Sequence, residues 1–298
     1  MQEAMEKAAV LIEALPYIQS FRGKVVVIKL GGSAMEEDEI LTSILQDIVF
    51  VELVGMRPLL VHGGGNFITK EMKAAGLSPL FVQGYRITDK ESLQIVEKVL
   101  LKVNKKITRM VQELGGQAKG LTFESGNWLK AEKLFLEVNG ERKDLGYVGR
   151  VTGIDRGGLK AELTAPYGRS VGSEGMVLVL SPLAKTDDGE VLNINADTAA
   201  GALASELAAE KLVFLSDTHG IMTDPEDESS LASTLTQSEI DLLIQRKVID
   251  AGMLPKVEAA RVALEGGVSK VHIIDGRIRH SLLLEIFTDK GIGTQILP

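Results

Sequence analysis

Val25-Val26-Val27-Ile28-Lys29-Leu30-Gly31-Gly32-Ser33 is the stretch from which the fold class is read. An aliphatic run of this length, broken only by Lys29, predicts a strand buried on both faces, as in parallel sheets covered by helices. The glycines predict a tight strand exit, and the apolar spacing that follows predicts a helix through about Val54. The arrangement recurs in Pro58-Leu59-Leu60-Val61, His62-Gly63-Gly64-Gly65-Asn66 and a helix to about Ala75. Two units of strand, glycine turn and helix predict an α/β fold, a three-layer sandwich around a mainly parallel sheet.

Working outward, Ala9, Val10, Leu11, Ala14 and Leu15 precede Pro16 at helical spacing and predict a short amphipathic helix. A long helix is expected over 89–114, with Asp89 as its N-cap and Gly115-Gly116 at its end. Residues 133–138, the hairpin signal Asn139-Gly140 and the β-rich 148–154 predict an antiparallel insertion near 118–155. Buried strands return at 176–180, 212–215 and 271–274, with a helix over 196–210. Without a repeat or a linker, one continuous sheet is expected rather than two tethered domains.

The 298 residues are 45% hydrophobic and 25% charged, with 31 glycines and 8 prolines, which excludes disordered and collagen-like classes. A net charge of −8 opposes nucleic acid or an anionic membrane as partner. The absence of cysteine removes disulfides, thiolate metal sites and cysteine nucleophiles together. The acidic, amphipathic start differs from a signal peptide, and no apolar run reaches the roughly 18 residues of a membrane span, so a cytoplasmic protein is expected. His62, His219, His272 and His280 are not paired at metal-ligand spacing, and no protein-bound transition metal is expected.

The phosphate-loop, dinucleotide, serine-hydrolase and zincin signatures are absent. Glycine turns let peptide N–H groups approach an anion, and a following helix adds its positive end. Either turn alone is equally a plain strand-to-helix connection; a lysine inside an apolar strand tips the pair toward phosphate binding. A buried Lys29 must reach a ligand or meet a carboxylate, and Asp197 in Asn193-Ile194-Asn195-Ala196-Asp197 is a candidate partner. Asp197 could instead serve only the start of a helix. Lys256 falls in the first turn of a helix, where the dipole disfavours a cation, which points to an anionic ligand.

Together these motifs resemble the amino acid kinase superfamily and, within it, the acetylglutamate kinase family. The resemblance runs over essentially the whole chain and rests on Lys29-Leu30-Gly31-Gly32, His62-Gly63-Gly64-Gly65, Gly84-Tyr85-Arg86-Ile87-Thr88, Asn193 to Asp197, Leu215-Ser216-Asp217 and Gly252-Met253-x-x-Lys256-Val257. It implies that ATP phosphorylates the side-chain carboxylate of N-acetyl-L-glutamate in arginine biosynthesis. Lys29 and Lys256 would stabilise the transferring group, with Asp197 holding them. Lys29, Gly31, Gly32, Ser216, Asp217 and Lys256 would bind ATP; Gly63, Gly64, Arg86 and Asn193 would bind the acyl substrate, under a lid formed by the hairpin. Mg²⁺ would be held mainly through ATP phosphates. The adenine contacts stay open.

The resemblance further implies an oligomerisation helix over 1–20, an acyl-substrate and dimerisation lobe over 21–190, and an ATP lobe over 191–298. In the arginine-sensitive type, Tyr17, Lys211, His272, Glu285 and Gly291 would bind L-arginine as inhibitor, in a homohexamer built as a trimer of dimers. For Glu285 the alternative is a solvated helix face. A nitrogen-regulatory protein partner stays unknown. Other superfamily members acting on carbamate, glutamate, aspartate or uridylate, and a silent amino-acid sensor of the same fold, are the competing readings.

Overall fold

The computed structural model describes residues 2–138, 140–165, 175–249, 252–287 and 291–298. Helix α1 (Gln2–Phe21) leads into β1 (Val25–Leu30), which a 3-10 turn at Ser33–Met35 separates from α2 (Asp38–Leu53). Strand β2 (Arg57–His62) is followed by α3 (Gly65–Ala74), a small hairpin of β3 (Phe81–Val82) and β4 (Tyr85–Arg86), and the long α4 (Lys90–Glu113). Next come β5 (Ala118–Leu121), β6 (Leu129–Val138), β7 (Glu141–Ile154), α5 (Arg156–Thr164), β8 (Val177–Leu180), β9 (Leu183–Lys185) and β10 (Val191–Ile194). The chain continues through α6 (Ala196–Glu206), β11 (Lys211–Ser216), β12 (Thr234–Thr236), α7 (Gln237–Gln245), α8 (Leu254–Glu265), β13 (Lys270–Asp275), α9 (Ser281–Ile286) and β14 (Thr294–Leu297).

Among the described residues the central sheet has the order β12-β14-β13-β11-β1-β2-β8-β5. Its pairs are parallel except β13 with β14. Strands β10, β7, β6 and β9 close into a small separate barrel beside it. The alternation of side chains along a strand divides the core into two layers. Val27, Leu59, Val61 and Phe214 face one layer with the apolar sides of α6 and α8. Val26, Ile28, Leu30, Leu60 and Leu215 face the other, with α2 and α4. Lys29 shares the parity of Val27, so its side chain is directed toward α6 and α8.

Helix ends follow local chemistry. The Asp89 carboxylate accepts from the Ser92 N–H at 2.8 Å, so α4 starts where the sequence predicts. Asp47 on α2, whose carboxyl burial pushes up, meets His280 Nδ1 at 2.6 Å, and His280 is the N-cap of α9 at φ 57°. That contact ties the helix after the first glycine turn to α9.

Three expectations need correction. The insertion does not begin at 118, because β5 pairs in parallel with β8 in the main sheet; only β6 and β7 form the hairpin. Its turn residue Asn139 lies outside the described residues, whereas Gly140 has φ 81°. No long helix follows Gly32 directly: the 3-10 turn intervenes, and α2 opens with Asp38 and Glu39, so its dipole does not assist the first glycine turn. Helix α6 stops at Glu206, where Leu207 and Ala208 leave the helix and Ala208 takes φ 48°.

Helices α6 and α8 touch at Gly201, where an added Cβ would lie 2.5 Å from the Ala259 carbonyl oxygen and 2.9 Å from its Cα. Backbone cannot yield there without separating the helices. Gly201→Ala is therefore expected to destabilise by about 1–3 kcal/mol. A urea midpoint unchanged from the parent would show that this contact does not set the helix spacing.

Candidate active site

Strand β1 lies between β2 and β11, with Lys29 opposite Val61 on one side and Phe214 on the other. Their three exits, Gly31-Gly32, Gly63-Gly64 and Ser216-Asp217, therefore meet at the carboxyl edge of the sheet, where open α/β sheets bind ligands. A cavity of about 290 Å³ opens there, lined by both glycine turns, Lys29, Arg86, Asn193, Asp197, Ser216, Asp217 and Lys256. Every residue expected to serve catalysis, ATP or the acyl substrate thus lines one space, although the sequence disperses them over more than two hundred positions.

At its floor, Lys29 Nζ lies 2.9 Å from Asp197 Oδ1, and Lys256 Nζ lies 3.7 Å from Asp197 Oδ2. Asp197 is 8% exposed. Burial alone would raise its carboxyl pKa, but the two lysines outweigh it and hold the group below the ordinary aspartate range. Asn195 resolves what Asp197 does for its helix: the Asn195 side chain accepts from the N–H groups of Asp197 and Thr198, so it is the N-cap. Asp197 is left to the lysines.

The glycine turns divide their donors unequally. The Gly31 N–H is committed to the Leu215 carbonyl and the Gly63 N–H to the Leu30 carbonyl, both at 2.9 Å. With its N–H engaged, Gly63 does not supply the N–H expected of it near the acyl substrate, and a contact of Gly31 with ATP phosphates would not run through its N–H. The N–H groups of Gly32 and Gly64 have no partner among the described residues and remain the available donors. Gly31 instead allows close crossing, since a Cβ there would stand 2.7 Å from the Leu215 oxygen. Gly64 is also the residue before α3, so that helix, unlike α2, does present its positive end to the cavity.

Arg86 is 8% exposed and is held by the Gly65 carbonyl and Thr69 Oγ1, each at 2.9 Å, with its guanidinium over the Phe81 ring. Burial lowers its pKa, and no carboxylate among the described residues pairs with it. A charged, poorly solvated guanidinium without a counterion is suited to an anionic ligand. Asn193 Nδ2 contacts Thr88 Oγ1 at 3.3 Å on the same wall.

A second cavity of about 330 Å³ adjoins the first, and Ser216, Asp217 and Lys256 line both. Ile221, Met222, Val248, Ile249 and Met253 give it an apolar side that the sequence reading left unassigned. The available signal was Gly220, at φ 147° just past a strand exit, where a Cβ would lie 2.5 Å from Thr294 Oγ1.

Away from both cavities, the five residues expected to bind arginine fall in one neighbourhood. Glu285 is 6% exposed, which excludes the solvated face. Its carboxylate contacts His272 Nδ1 and accepts from the Ile292 N–H at 2.8 Å. A Cβ on Gly291, at φ 58°, would come 3.0 Å from both carboxylate oxygens. Tyr17 on α1 meets Phe287 edge-on at 6.4 Å, and Lys211 Nζ lies 5.1 Å from the Phe21 ring centroid. Burial lowers the Lys211 ammonium pKa, whereas Glu285 opposes that effect.

The family model described as the amino acid kinase family matches residues 24–275. The chain is 46% identical to the acetylglutamate kinase of Heliobacterium modesticaldum over 303 aligned residues, covering all of both chains. Among solved structures, it superposes on N-acetylglutamate synthase from Neisseria gonorrhoeae, complexed with coenzyme A and N-acetyl-glutamate, with a TM-score of 0.84 and 30% identity. That match covers 98% of this chain and 63% of the synthase. The same synthase complexed with coenzyme A and L-arginine gives 0.81 and 28%, over 97% and 65% of the two chains.

Asp197→Asn leaves two ammonium groups facing each other without a counterion. A loss of about 1–2 kcal/mol is expected, less than a fully enclosed pair would give because both lysines reach the cavity. Millimolar sulfate should restore the melting temperature of this variant more than it raises that of the parent. Equal sulfate responses would mean that the lysines do not depend on Asp197 for their charge balance.

Proposed function

The chain belongs to the amino acid kinase family and, within it, to the acetylglutamate kinases, and from that membership we infer how its two cavities share the reaction. The protein phosphorylates the side-chain carboxylate of N-acetyl-L-glutamate with ATP, a step of arginine biosynthesis. The observation that carries the division of labour is that the cavities meet at Ser216, Asp217 and Lys256. Nucleotide base and sugar occupy the cavity beyond Ser216-Asp217, the acyl substrate occupies the one below Arg86, and the γ-phosphate lies between them. On this reading residues 21–190 form the acyl-substrate lobe and 191–298 the nucleotide lobe, with Asn193 reaching the acyl substrate and Lys29, Gly31 and Gly32 the nucleotide across the division.

A glutamate side chain has a reference pKa near 4.3 and is already ionised at neutral pH, so attack on phosphorus needs no general base. The difficulty is electrostatic, since two anions must be brought into line while charge spreads over the phosphoryl oxygens. Lys29 and Lys256 supply positive charge at that point, and the Gly32 and Gly64 N–H groups donate from opposite turns. Asp197 holds the two ammonium groups close together and aimed. Arg86 and Asn193 grip the carboxylate and polar end of the acyl substrate, with the barrel, through Val148, forming the facing wall. When bound, Mg²⁺ would neutralise nucleotide charge and would be held mainly through the ATP phosphates. Of the two carboxylates that line the cavity among the described residues, Asp197 is engaged by the lysines and Asp217 accepts from Ser216 Oγ at 3.3 Å.

L-Arginine is the inhibitor we assign to the cluster around Glu285, whose carboxylate can accept from a guanidinium or an α-amino group. The synthase solved with L-arginine supports the assignment by its likeness to this chain. Helix α1 leaves Met5, Ile12 and Leu15 exposed, which supports its pairing with α1 of another copy in a hexameric trimer of dimers. Inhibition then requires that arginine bind a more open ring with higher affinity. No described helix is long and apolar enough to cross a membrane, in keeping with a cytoplasmic reaction.

Lys29→Ala and Lys256→Ala are expected to lower kcat by about a hundredfold or more, with smaller changes in the KM for ATP. Arg86→Ala should raise the KM for N-acetyl-L-glutamate about tenfold or more. An unchanged acyl KM with a raised ATP KM would invert the cavity assignment, and preference for unacetylated glutamate would overturn the substrate.

Removal of residues 1–20 should yield dimers that retain turnover and lose most arginine sensitivity. Light scattering and inhibition curves on the truncated protein decide this. A truncated hexamer of full sensitivity would refute the assembly and leave the kinase chemistry standing.

A further inference from the structure

His62 ends β2, is fully buried, and takes no part in lining either cavity. Its place along the strand turns it toward α4, where Nε2 lies 3.3 Å from Asn104 Nδ2. Asn104 Nδ2 also donates to the Val179 carbonyl at 2.8 Å. On the other side of the ring, Nδ1 lies 2.9 Å from the Gly63 carbonyl oxygen. A carbonyl only accepts, so Nδ1 carries the proton, and Nε2 is the lone pair that receives the Asn104 amide. Burial depresses the imidazole pKa to about 4, and the ring is neutral under working conditions. Both ring nitrogens are occupied, and neither is offered to a substrate.

The consequence lies one bond further along. The chain contains no cis peptide among the described residues, and a trans peptide points its N–H opposite its C=O. With the Gly63 carbonyl held against the buried ring, the Gly64 N–H faces the other way. Gly64 lines the cavity, and its N–H is without a partner among the described residues. A peptide between two glycines has little side-chain hindrance to rotation, so this orientation needs an external hold. We propose that His62 is a positioning residue for phosphoryl transfer: its Nδ1–H fixes the Gly63–Gly64 peptide so that the Gly64 N–H is aimed at the reacting oxygens. The proposal rests on the reaction assigned above to this cavity.

The test compares His62→Asn with His62→Gln in the full-length protein. The Asn amide nitrogen falls near the position of Nδ1 and can keep the bond to Gly63, whereas the Gln amide nitrogen falls near Nε2 and cannot. Both remove the ring, so both should lose similar thermal stability. His62→Gln should lower kcat at least tenfold with KM for ATP and N-acetyl-L-glutamate within about twofold, and His62→Asn should stay within about threefold of the parent kcat. Binding of ADP with aluminium fluoride and N-acetyl-L-glutamate should weaken in His62→Gln only. Equal kcat in the two variants, or kcat that follows melting temperature in both, overturns the proposal. A long-range ¹H–¹⁵N spectrum of the histidine-labelled parent should show His62 protonated at Nδ1 and bare at Nε2. The opposite tautomer overturns the proposal whether or not the variants fold. Failure of the parent to phosphorylate N-acetyl-L-glutamate would instead remove the reaction on which it rests.

Discussion

One buried carboxylate shared by two lysines sets the terms for this molecule. Lys29 and Lys256 must both be charged and close to the same point, a condition that like charges resist unless an anion stands between them. Asp197 supplies that anion while taking a desolvation cost that only the two lysines offset. The three groups come from β1, α6 and α8, and so the helices must be in contact and the strand must present its one polar side chain to them. The close approach at Gly201 and the parity of Lys29 along β1 follow from this requirement.

A similar economy governs the two glycine turns. In each, the first glycine bonds to a neighbouring strand and closes the sheet edge, and the second keeps its N–H for a ligand. Structural and functional needs are thereby assigned to adjacent residues rather than imposed on one. The buried His62 extends this logic by holding the peptide that joins the two roles. On the same side of the sheet as His62, the Asp47 to His280 contact secures α9, which carries Glu285. The helix behind the first glycine turn and the arginine cluster consequently share one packed layer.

The strand periodicity, the glycine turns, the Asp89 cap and the pairing of Lys29 with Asp197 were legible in the chain, because each depends on near neighbours or on charges too costly to leave unmatched. The start of the insertion was not legible. Ala118 to Leu121 has the short, weakly patterned look of a hairpin arm, and only its pairing with β8 assigns it to the main sheet. The distance between Gly32 and α2 was likewise hidden, since a 3-10 turn and an α-helix begin with similar apolar spacing.

By itself, then, the sequence determined the α/β class, the order of the glycine turns and the residue types able to handle phosphate, all consequences of local geometry and of the penalty on unpaired charge. Tertiary structure alone decided which N–H groups stay free, since Gly31 and Gly63 lose theirs to carbonyls on strands that local spacing does not identify. It also decided that Glu285 is buried rather than solvated and that Ile221, Met222 and Ile249 wall a second cavity. Hydrogen-bond saturation and burial depend on residues brought together from distant parts of the chain, and periodicity carries no record of them.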